Sequence, residues 1–314
     1  MKVLLTSTSF QDTPGKHQEL LKEQGYDLDT LRGPISEGQL LPIIGNYDAV
    51  ICGDDEYTEA VIKKGVEGNL KYISKYGVGL DRIDLEAAKK YGIPVTNCPG
   101  VNQVSVSEHV LALLFTFEKN VHLQYNSTNT GSWKRWVGHE IQGKIIGIIG
   151  LGAIGKELSK KANALGMKVL ACDLYKDREF LDQNPYISFE KDINEIYKNA
   201  DIISLHLPHT PQSEHLISEE VVENKFKRKP ILINTSRGML VDSKAILKGL
   251  KEGKLRGYLT DVLAHEPMLE NEILKGAENV IITPHVGSRT FQSVERQGTM
   301  AVENLKKLIN LGKD

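Results

Sequence analysis

The stretch Lys144-Ile-Ile-Gly-Ile-Ile-Gly-Leu-Gly-Ala-Ile-Gly155 decides the fold. Ile145, Ile146, Ile148, Ile149 and Leu151, interspersed with glycine, read as a short strand buried on both faces. It runs into Gly150-x-Gly152-x-x-Gly155 and then into a helix-forming run, residues 156–165. Strand, tight turn and helix are the phosphate-holding part of a dinucleotide-binding unit. In that reading Gly150 permits the turn, Gly152 lets backbone approach a pyrophosphate, and Gly155 lets the helix lie close to the strand. The start of the helix adds N–H groups and the positive end of its dipole.

A glycine motif alone is weak, so the residues beyond it have to carry the assignment. A second apolar run, residues 167–172, ends at Asp173, 18 residues after Gly155. An acid at the end of the second strand hydrogen-bonds ribose hydroxyls and repels a 2′-phosphate, so NAD is expected over NADP. Lys176 and Arg178, a few residues on, are the counter-signal. The competing reading is a glycine-rich turn in another kind of α/β domain.

The 314 residues suffice for one large or two ordinary domains with well-buried cores. Lys and Arg number 39 against 41 Asp and Glu, a formal net charge of −2, which gives no electrostatic reason to bind nucleic acid or a membrane surface. Cys52, Cys98 and Cys172 are scattered without metal-ligand spacing, as expected of reduced, buried thiols in a cytoplasmic protein. The apolar run at residues 1–7 is too short for a signal peptide, and no later run is long enough to span a bilayer.

The first hundred residues alternate strand-like segments (3–6, 26–31, 49–52, 70–75, 93–97) with amphipathic ones (17–24, 37–44, 58–64, 85–90). Such alternation implies a parallel sheet with helices on both faces. Gly77-x-Gly79, just after a strand, either exposes backbone N–H groups to a ligand or is an ordinary connection. Residues 104–117 are too apolar for a surface helix and are expected between domains or subunits. Thr130-Gly-Ser-Trp-Lys-Arg-Trp136 holds both tryptophans beside Lys134 and Arg135, which suits an interface anchor or a loop over an active site. After the glycine motif, strands are expected at 202–206, 231–234, 257–262 and 280–282, making six from Lys144 to Ile282. Helices are expected at 193–198, 218–224 and 243–252, with a terminal one at 291–309 that returns to the first unit.

Three polar stretches follow strands of the nucleotide unit: Asn234-Thr-Ser-Arg-Gly238, Asp261-Val-Leu-Ala-His-Glu-Pro267 and Thr283-Pro-His-Val-Gly287. Strand ends on this side face the ligand crevice. Arg237 suits a carboxylate bidentately and can polarise an adjacent carbonyl. His285 suits general acid–base work near neutral pH. Glu266, if bonded to the imidazole, would orient it and favour its charged form. Singly, each residue also fits a bland role in capping, loop or backbone bonding; their joint placement behind a dinucleotide motif is what points to hydride chemistry.

Along essentially its whole length the sequence resembles the D-isomer-specific 2-hydroxyacid dehydrogenases. The matching motifs are Tyr76-Gly-Val-Gly-Leu-Asp-Arg-Ile-Asp84, the glycine fingerprint, Thr235-Ser-Arg-Gly238, Leu259-Thr-Asp-Val262 with His265-Glu-Pro267, and Thr283-Pro-His-Val-Gly287. The resemblance implies an α/β protein in which a Rossmann NAD-binding domain, residues 100–286, is inserted in a flavodoxin-like substrate domain, residues 1–99 and 287–314. It implies a homodimer formed largely through the inserted domain. It assigns Arg237 to the substrate carboxylate and carbonyl, His285 to proton exchange and Glu266 to pairing with that histidine. The backbone of Val78 and Gly79, with Asn102 nearby, would hold the substrate carboxylate. NAD would be held by Gly150, Gly152, Ala153, Ile154 and Gly155 at the pyrophosphate, and by Asp173 at the ribose. Leu207 and Pro208 would lie beside the adenine. Thr235, Ser236, Arg237, Asp261, His285 and Gly287 would lie along the nicotinamide end, with Asp261 accepting from the carboxamide. By the same analogy His206, His209 and His215 are not a metal site.

Within the family, Gly131-x-Trp133-Lys-Arg135 and Lys75-Tyr-Gly-Val-Gly look most like the short phosphoglycerate dehydrogenases. Lys75, Lys134 and Arg135 would then meet a substrate phosphate, the last two across a dimer. One departure stands out. Members acting on 3-phosphoglycerate usually carry Arg near positions 51–53, where this chain has Cys52 and Gly53. Glyoxylate or hydroxypyruvate reduction therefore stays open. So do phosphite or formate oxidation and, from another class, an NAD-sensing corepressor scaffold.

Overall fold

The computed structural model describes residues 1–312. The chain divides into two compact units, Met1–Asn102 joined by the residues from Ser288 onward, and Gln103–Gly287.

The first unit is built on five parallel strands: β1 (Lys2–Leu5), β2 (Asp27–Thr30), β3 (Ala49–Cys52), β4 (Tyr72–Lys75) and β5 (Val95–Thr96). Their spatial order is β2-β1-β3-β4-β5, the flavodoxin-like arrangement. β3 is buried at every position because helices cover both of its faces. On one face Val3, Leu5 and Ile51 pack against Val294, Ala301, Val302 and Leu305 of the helix Phe291–Leu311. The Ser74 hydroxyl fastens that helix by donating to the Ala301 carbonyl at 2.7 Å. On the other face Ile44, Val50, Tyr57, Ile62 and Ile73 form a second core.

The second unit has seven parallel strands: β6 (Ile145–Ile149), β7 (Lys168–Cys172), β8 (Ile187–Glu190), β9 (Ile202–Leu205), β10 (Ile231–Asn234), β11 (Gly257–Thr260) and β12 (Val280–Ile282). Their order, β12-β11-β10-β9-β6-β7-β8, reverses direction between β6 and β9, the doubly wound Rossmann pattern with its crevice at the reversal. β9, β10 and β11 are buried at every position and so read as unbroken apolar runs rather than alternating ones. The helix Gln103–Glu118 brings Val110, Leu111, Leu113 and Leu114 into the core beneath Ile146, Ile148, Ile231 and Leu259. Its last residue, Glu118, is buried and accepts hydrogen bonds from Lys144 at 2.7 Å and from both terminal nitrogens of Arg256. Burial pushes this carboxyl up, but the bonds from Arg256 and Lys144 outweigh burial and hold it below the usual range.

Four expectations change. The second sheet has seven strands, not six: β8 is an edge strand with Ile187 buried and the rest half or fully exposed. The helix expected at residues 218–224 is there but differs in type: residues 219–220 are α-helical and lead into a π-helical turn, Val221–Lys225. The segment 37–44 breaks into Glu37–Leu40 and a 3-10 turn, Ile44–Asn46, because Leu40 and Ile44 both turn into the core. The apolar helix expected between domains or subunits buries its apolar side within its own unit. Among the described residues no helix is long and apolar enough to cross a membrane. Cys52, Cys98 and Cys172 are all buried and unbridged.

Candidate active site

At the end of β6 the three fingerprint glycines do different work. Gly150 has φ +98°, and a Cβ there would lie 2.3 Å from the His206 carbonyl oxygen. A Cβ on Gly155 would lie 2.1 Å from the Gly150 carbonyl oxygen. Gly152 is the opposite case, since a Cβ there would meet nothing within 4 Å. Gly152 is also the N-cap of the helix Ala153–Ala164 and carries no capping side chain. Ala153 is exposed and Ile154 half-buried at that helix start. First-turn N–H groups facing an open space suit a diphosphate.

At the end of β7, Asp173 accepts from the N–H of Leu151 at 2.6 Å and of Tyr175 at 2.9 Å. Its carboxylate is thus tied to the glycine turn. Leu174 and Tyr175 beyond it are almost fully exposed. The two cations that spoke for NADP point elsewhere or lie further on: Lys176 sits over the Phe189 ring, and Arg178 begins the next helix. At the reversal, Leu207 is half-buried and Pro208 exposed. His206 bonds Ser204 at 2.9 Å, and burial pushes its imidazole down to about 4. His209 lies 3.9 Å from Glu214. Among the described residues no group of three His, Cys, Asp or Glu could hold a metal ion.

The ends of β10, β11 and β12 carry interlocked side chains. Buried Asn234 donates to the Arg237 carbonyl at 2.9 Å and accepts from the Ser236 N–H at 3.1 Å, fixing the turn between them. The Ser236 hydroxyl donates to the Leu205 carbonyl at 2.5 Å. A Cβ on Gly238 would lie 2.0 Å from the Leu263 carbonyl carbon, so the Arg237 turn packs directly on the segment leading to Glu266. The Thr235 hydroxyl oxygen is buried with no partner among the described residues. Such an atom lacks the hydrogen bond that buried hydroxyls normally make, which a ligand at this end would supply.

Glu266 Oε1 accepts from the Leu263 N–H at 2.9 Å, and Oε2 meets His285 Nδ1 at 2.7 Å. His285 has φ +53°. Its backbone is held there by N–H donation to the carbonyls of Asp261 at 2.9 Å and Thr283 at 3.0 Å. The Asp261 carboxylate accepts from the N–H groups of Val286 at 2.9 Å and Gly287 at 2.7 Å and from the Thr283 hydroxyl at 2.6 Å. Burial pushes the Asp261 carboxyl up, yet the bonds from His109, Thr283, Val286 and Gly287 hold it below the usual range. Sequence reasoning left His109 without a role. The available signal was an ionisable pair, Glu108-His109, inside a run that otherwise holds only apolar residues, serine and threonine.

The expected carboxylate-binding turn belongs to the first unit. Gly77 has φ +129°, and its carbonyl accepts from the Cys98 N–H at 2.8 Å. The Val78 carbonyl accepts from the Asn97 side chain at 2.7 Å. Both carbonyls are tied down, which leaves the Val78 and Gly79 N–H groups on a fixed loop. Gly79 and Asn102 are half-buried. Lys75 is only 3% exposed and donates at 2.6 Å to both the Gly53 carbonyl and Asp54. Lys134 and Arg135 are exposed, with the Lys134 ammonium 4.6 Å from the centre of the Trp136 ring.

The residues around Gly150, Asp173 and Thr235 fit a dinucleotide. Residues 111–287 match the family description "D-isomer specific 2-hydroxyacid dehydrogenase, NAD binding domain". A D-3-phosphoglycerate dehydrogenase of Methanocaldococcus jannaschii is 36% identical over 98% of this chain, and this chain spans 57% of that protein. A glyoxylate reductase of Thermofilum pendens is 36% identical over 87% of this chain and 81% of its own length. The crystal structure of the TT0316 protein from Thermus thermophilus superposes with a TM-score of 0.87 at 34% identity, over 99% of this chain and 97% of its own. With its second unit the NAD-binding domain, the chain belongs to the D-isomer-specific 2-hydroxyacid dehydrogenase family.

Proposed function

We propose that the protein interconverts a D-2-hydroxy acid and its 2-oxo acid with NAD, and that the pair is 3-phosphoglycerate and 3-phosphohydroxypyruvate. The observation that carries the reaction class is the 2.7 Å contact between His285 Nδ1 and Glu266 on a loop fixed by Asp261. Nδ1 faces the carboxylate, and Nε2 is the nitrogen assigned to proton exchange with substrate oxygen. In oxidation His285 takes the hydroxyl proton at Nε2, and Glu266 stabilises the resulting imidazolium. In reduction His285 starts protonated and returns that proton to the forming alkoxide. Arg237 binds the substrate carboxylate and polarises the C2 oxygen. The cofactor, when bound, would accept the hydride from C2 as NAD⁺ and supply it as NADH in the reverse direction.

Phosphoglycerate as substrate is supported by the relative from M. jannaschii and by the exposed pair Lys134 and Arg135. One observation favours glyoxylate or hydroxypyruvate instead. Lys75 is already neutralised by Asp54, and no arginine stands at residues 51–53. The relative from T. pendens is named for that chemistry. A homodimer is proposed through residues 121–137, where Val121, Tyr125, Trp133 and Val137 leave apolar surface exposed. A cytoplasmic setting is supported by three buried, unbridged thiols.

Steady-state NADH oxidation against phosphohydroxypyruvate, hydroxypyruvate, glyoxylate and pyruvate tests this. We expect kcat/KM for phosphohydroxypyruvate to exceed that for hydroxypyruvate by roughly tenfold or more, as one retained charge-assisted contact would give. Equal values move the substrate to the second reading. No turnover with any of the four removes these substrates and leaves phosphite or formate oxidation, or the NAD-sensing scaffold.

A further inference from the structure

The helix Gln103–Glu118 sends one polar side chain from its apolar run to the ends of β11 and β12. His109 Nε2 lies 3.0 Å from the Thr283 hydroxyl oxygen and 3.3 Å from Asp261 Oδ1. The Thr283 hydroxyl already donates its only hydrogen to Asp261. The ionised carboxylate has no hydrogen to give. Nε2 must therefore be the donor. The same carboxylate receives the N–H groups of Val286 and Gly287, the two residues after His285. There is no slack at this junction: a Cβ on Gly287 would lie 3.0 Å from Asp261 Oδ2 and 3.5 Å from His109 Cδ2. His285 itself stays in a left-handed conformation, φ +53°, which a residue with a side chain adopts only when its surroundings impose it.

We propose that His109 is a positioning residue: by donating to Asp261 and Thr283 it holds residues 285–287 in the turn that aims the proton-exchanging histidine. The proposal rests on the proton-exchanging role of His285. It places His109 on neither substrate nor cofactor.

The test compares His109→Leu with His109→Gln in the full chain. The glutamine amide can put an N–H near the place of Nε2, whereas leucine leaves the carboxylate without that donor. We expect His109→Leu to lower kcat roughly tenfold, since small misplacements of a proton-transfer group are costly. The KM for the 2-oxo acid and the Kd for NADH should stay near wild type. His109→Gln should keep kcat within about threefold of wild type, as rescue of the donor requires. Equal kcat losses in the two variants, or wild-type kcat in His109→Leu, overturn the proposal. Should His109→Leu fail to fold, Thr283→Val removes the hydroxyl between the same groups and should lower kcat with KM and the Kd for NADH near wild type; unchanged kcat there is equally fatal. The His285 C2–H proton resonance, assigned with a His285 variant, gives a reading independent of turnover. It should shift in His109→Leu and stay in place in His109→Gln, and an unmoved resonance in both overturns the proposal. A wild-type protein inactive on every 2-oxo acid would sink the functional reading alone, because the resonance still decides the role of His109.

Discussion

The two halves of the seven-stranded sheet finish their strands in opposite ways. Around β6 and β7 the crevice is made by missing side chains: Gly150 and Gly155 have no room for a Cβ, and Gly152 has room that nothing fills. Around β10, β11 and β12 it is made by side chains that satisfy one another, from Asn234 through Asp261 and Thr283 to Glu266 and His285. The first half offers backbone and space, which suits a ligand held by its phosphates. The second offers rigid acid–base groups, which suits a reacting centre that must not drift. Binding and chemistry should therefore separate by mutation.

The largest separation is expected in the polar half. His285→Ala or Arg237→Ala should cut turnover by roughly two orders of magnitude or more, while NADH binding measured by fluorescence stays near wild type. A parallel loss of NADH affinity would break the division. In the glycine half, two substitutions three residues apart should behave differently. Gly155→Val starts its side chain 2.1 Å from a backbone oxygen. It should destabilise the unit by about 3 kcal/mol or more in urea unfolding, since the backbone cannot step aside cheaply. Gly152→Ala should leave the melting temperature within about 2 °C. Its NADH affinity should nevertheless fall roughly tenfold, because the added methyl occupies the space a pyrophosphate needs. Equal effects at both positions would mean that the space at Gly152 holds no ligand.

The smallest effect belongs to the boundary between the halves. His206 follows β9, and burial depresses its imidazole from 6.5 to about 4. Because the folded value is below the unfolded one, the unfolded chain binds more protons between them. That contribution to stability is complete above about pH 6.5 and is lost as the pH falls toward about 4. Urea midpoints at about pH 7 and about pH 5 should therefore differ more for wild type than for His206→Gln. An identical pH slope would show that His206 does not couple the halves to protonation.

Much of this was readable from residues alone, and the reasons are local. β6 and its glycines stand together in sequence, so a buried strand, a turn and a helix start are visible at one place. Arg237, Glu266 and His285 stand just beyond β10, β11 and β12, where parallel topology puts every strand end on one edge. Features decided by tertiary contact were not visible. β8 is half polar because it is an edge, so its pattern resembles a loop. The pairing of Lys75 with Asp54 joins the end of β4 to the loop after β3. The contact between His109 and Thr283 spans 174 positions, and nothing at either end announces the other. Gly77 to Gly79 stayed ambiguous for the same reason: the bonds from Asn97 and Cys98 that tie it down come from the far side of a helix.

The strand register has a further consequence. Asn234, Thr260 and Ile282 lie side by side across β10, β11 and β12. Thr235, Asp261 and Thr283 are therefore the next rank, one residue past the ladder. Removing a single residue from β11 would draw Asp261 back by about 3.3 Å and turn its side chain to the opposite face. The connections before each strand carry no such constraint. Length variation among descendants of this chain should accumulate in those connections and be purged from the strands, so the spacing from each strand to its polar residue is the inherited quantity.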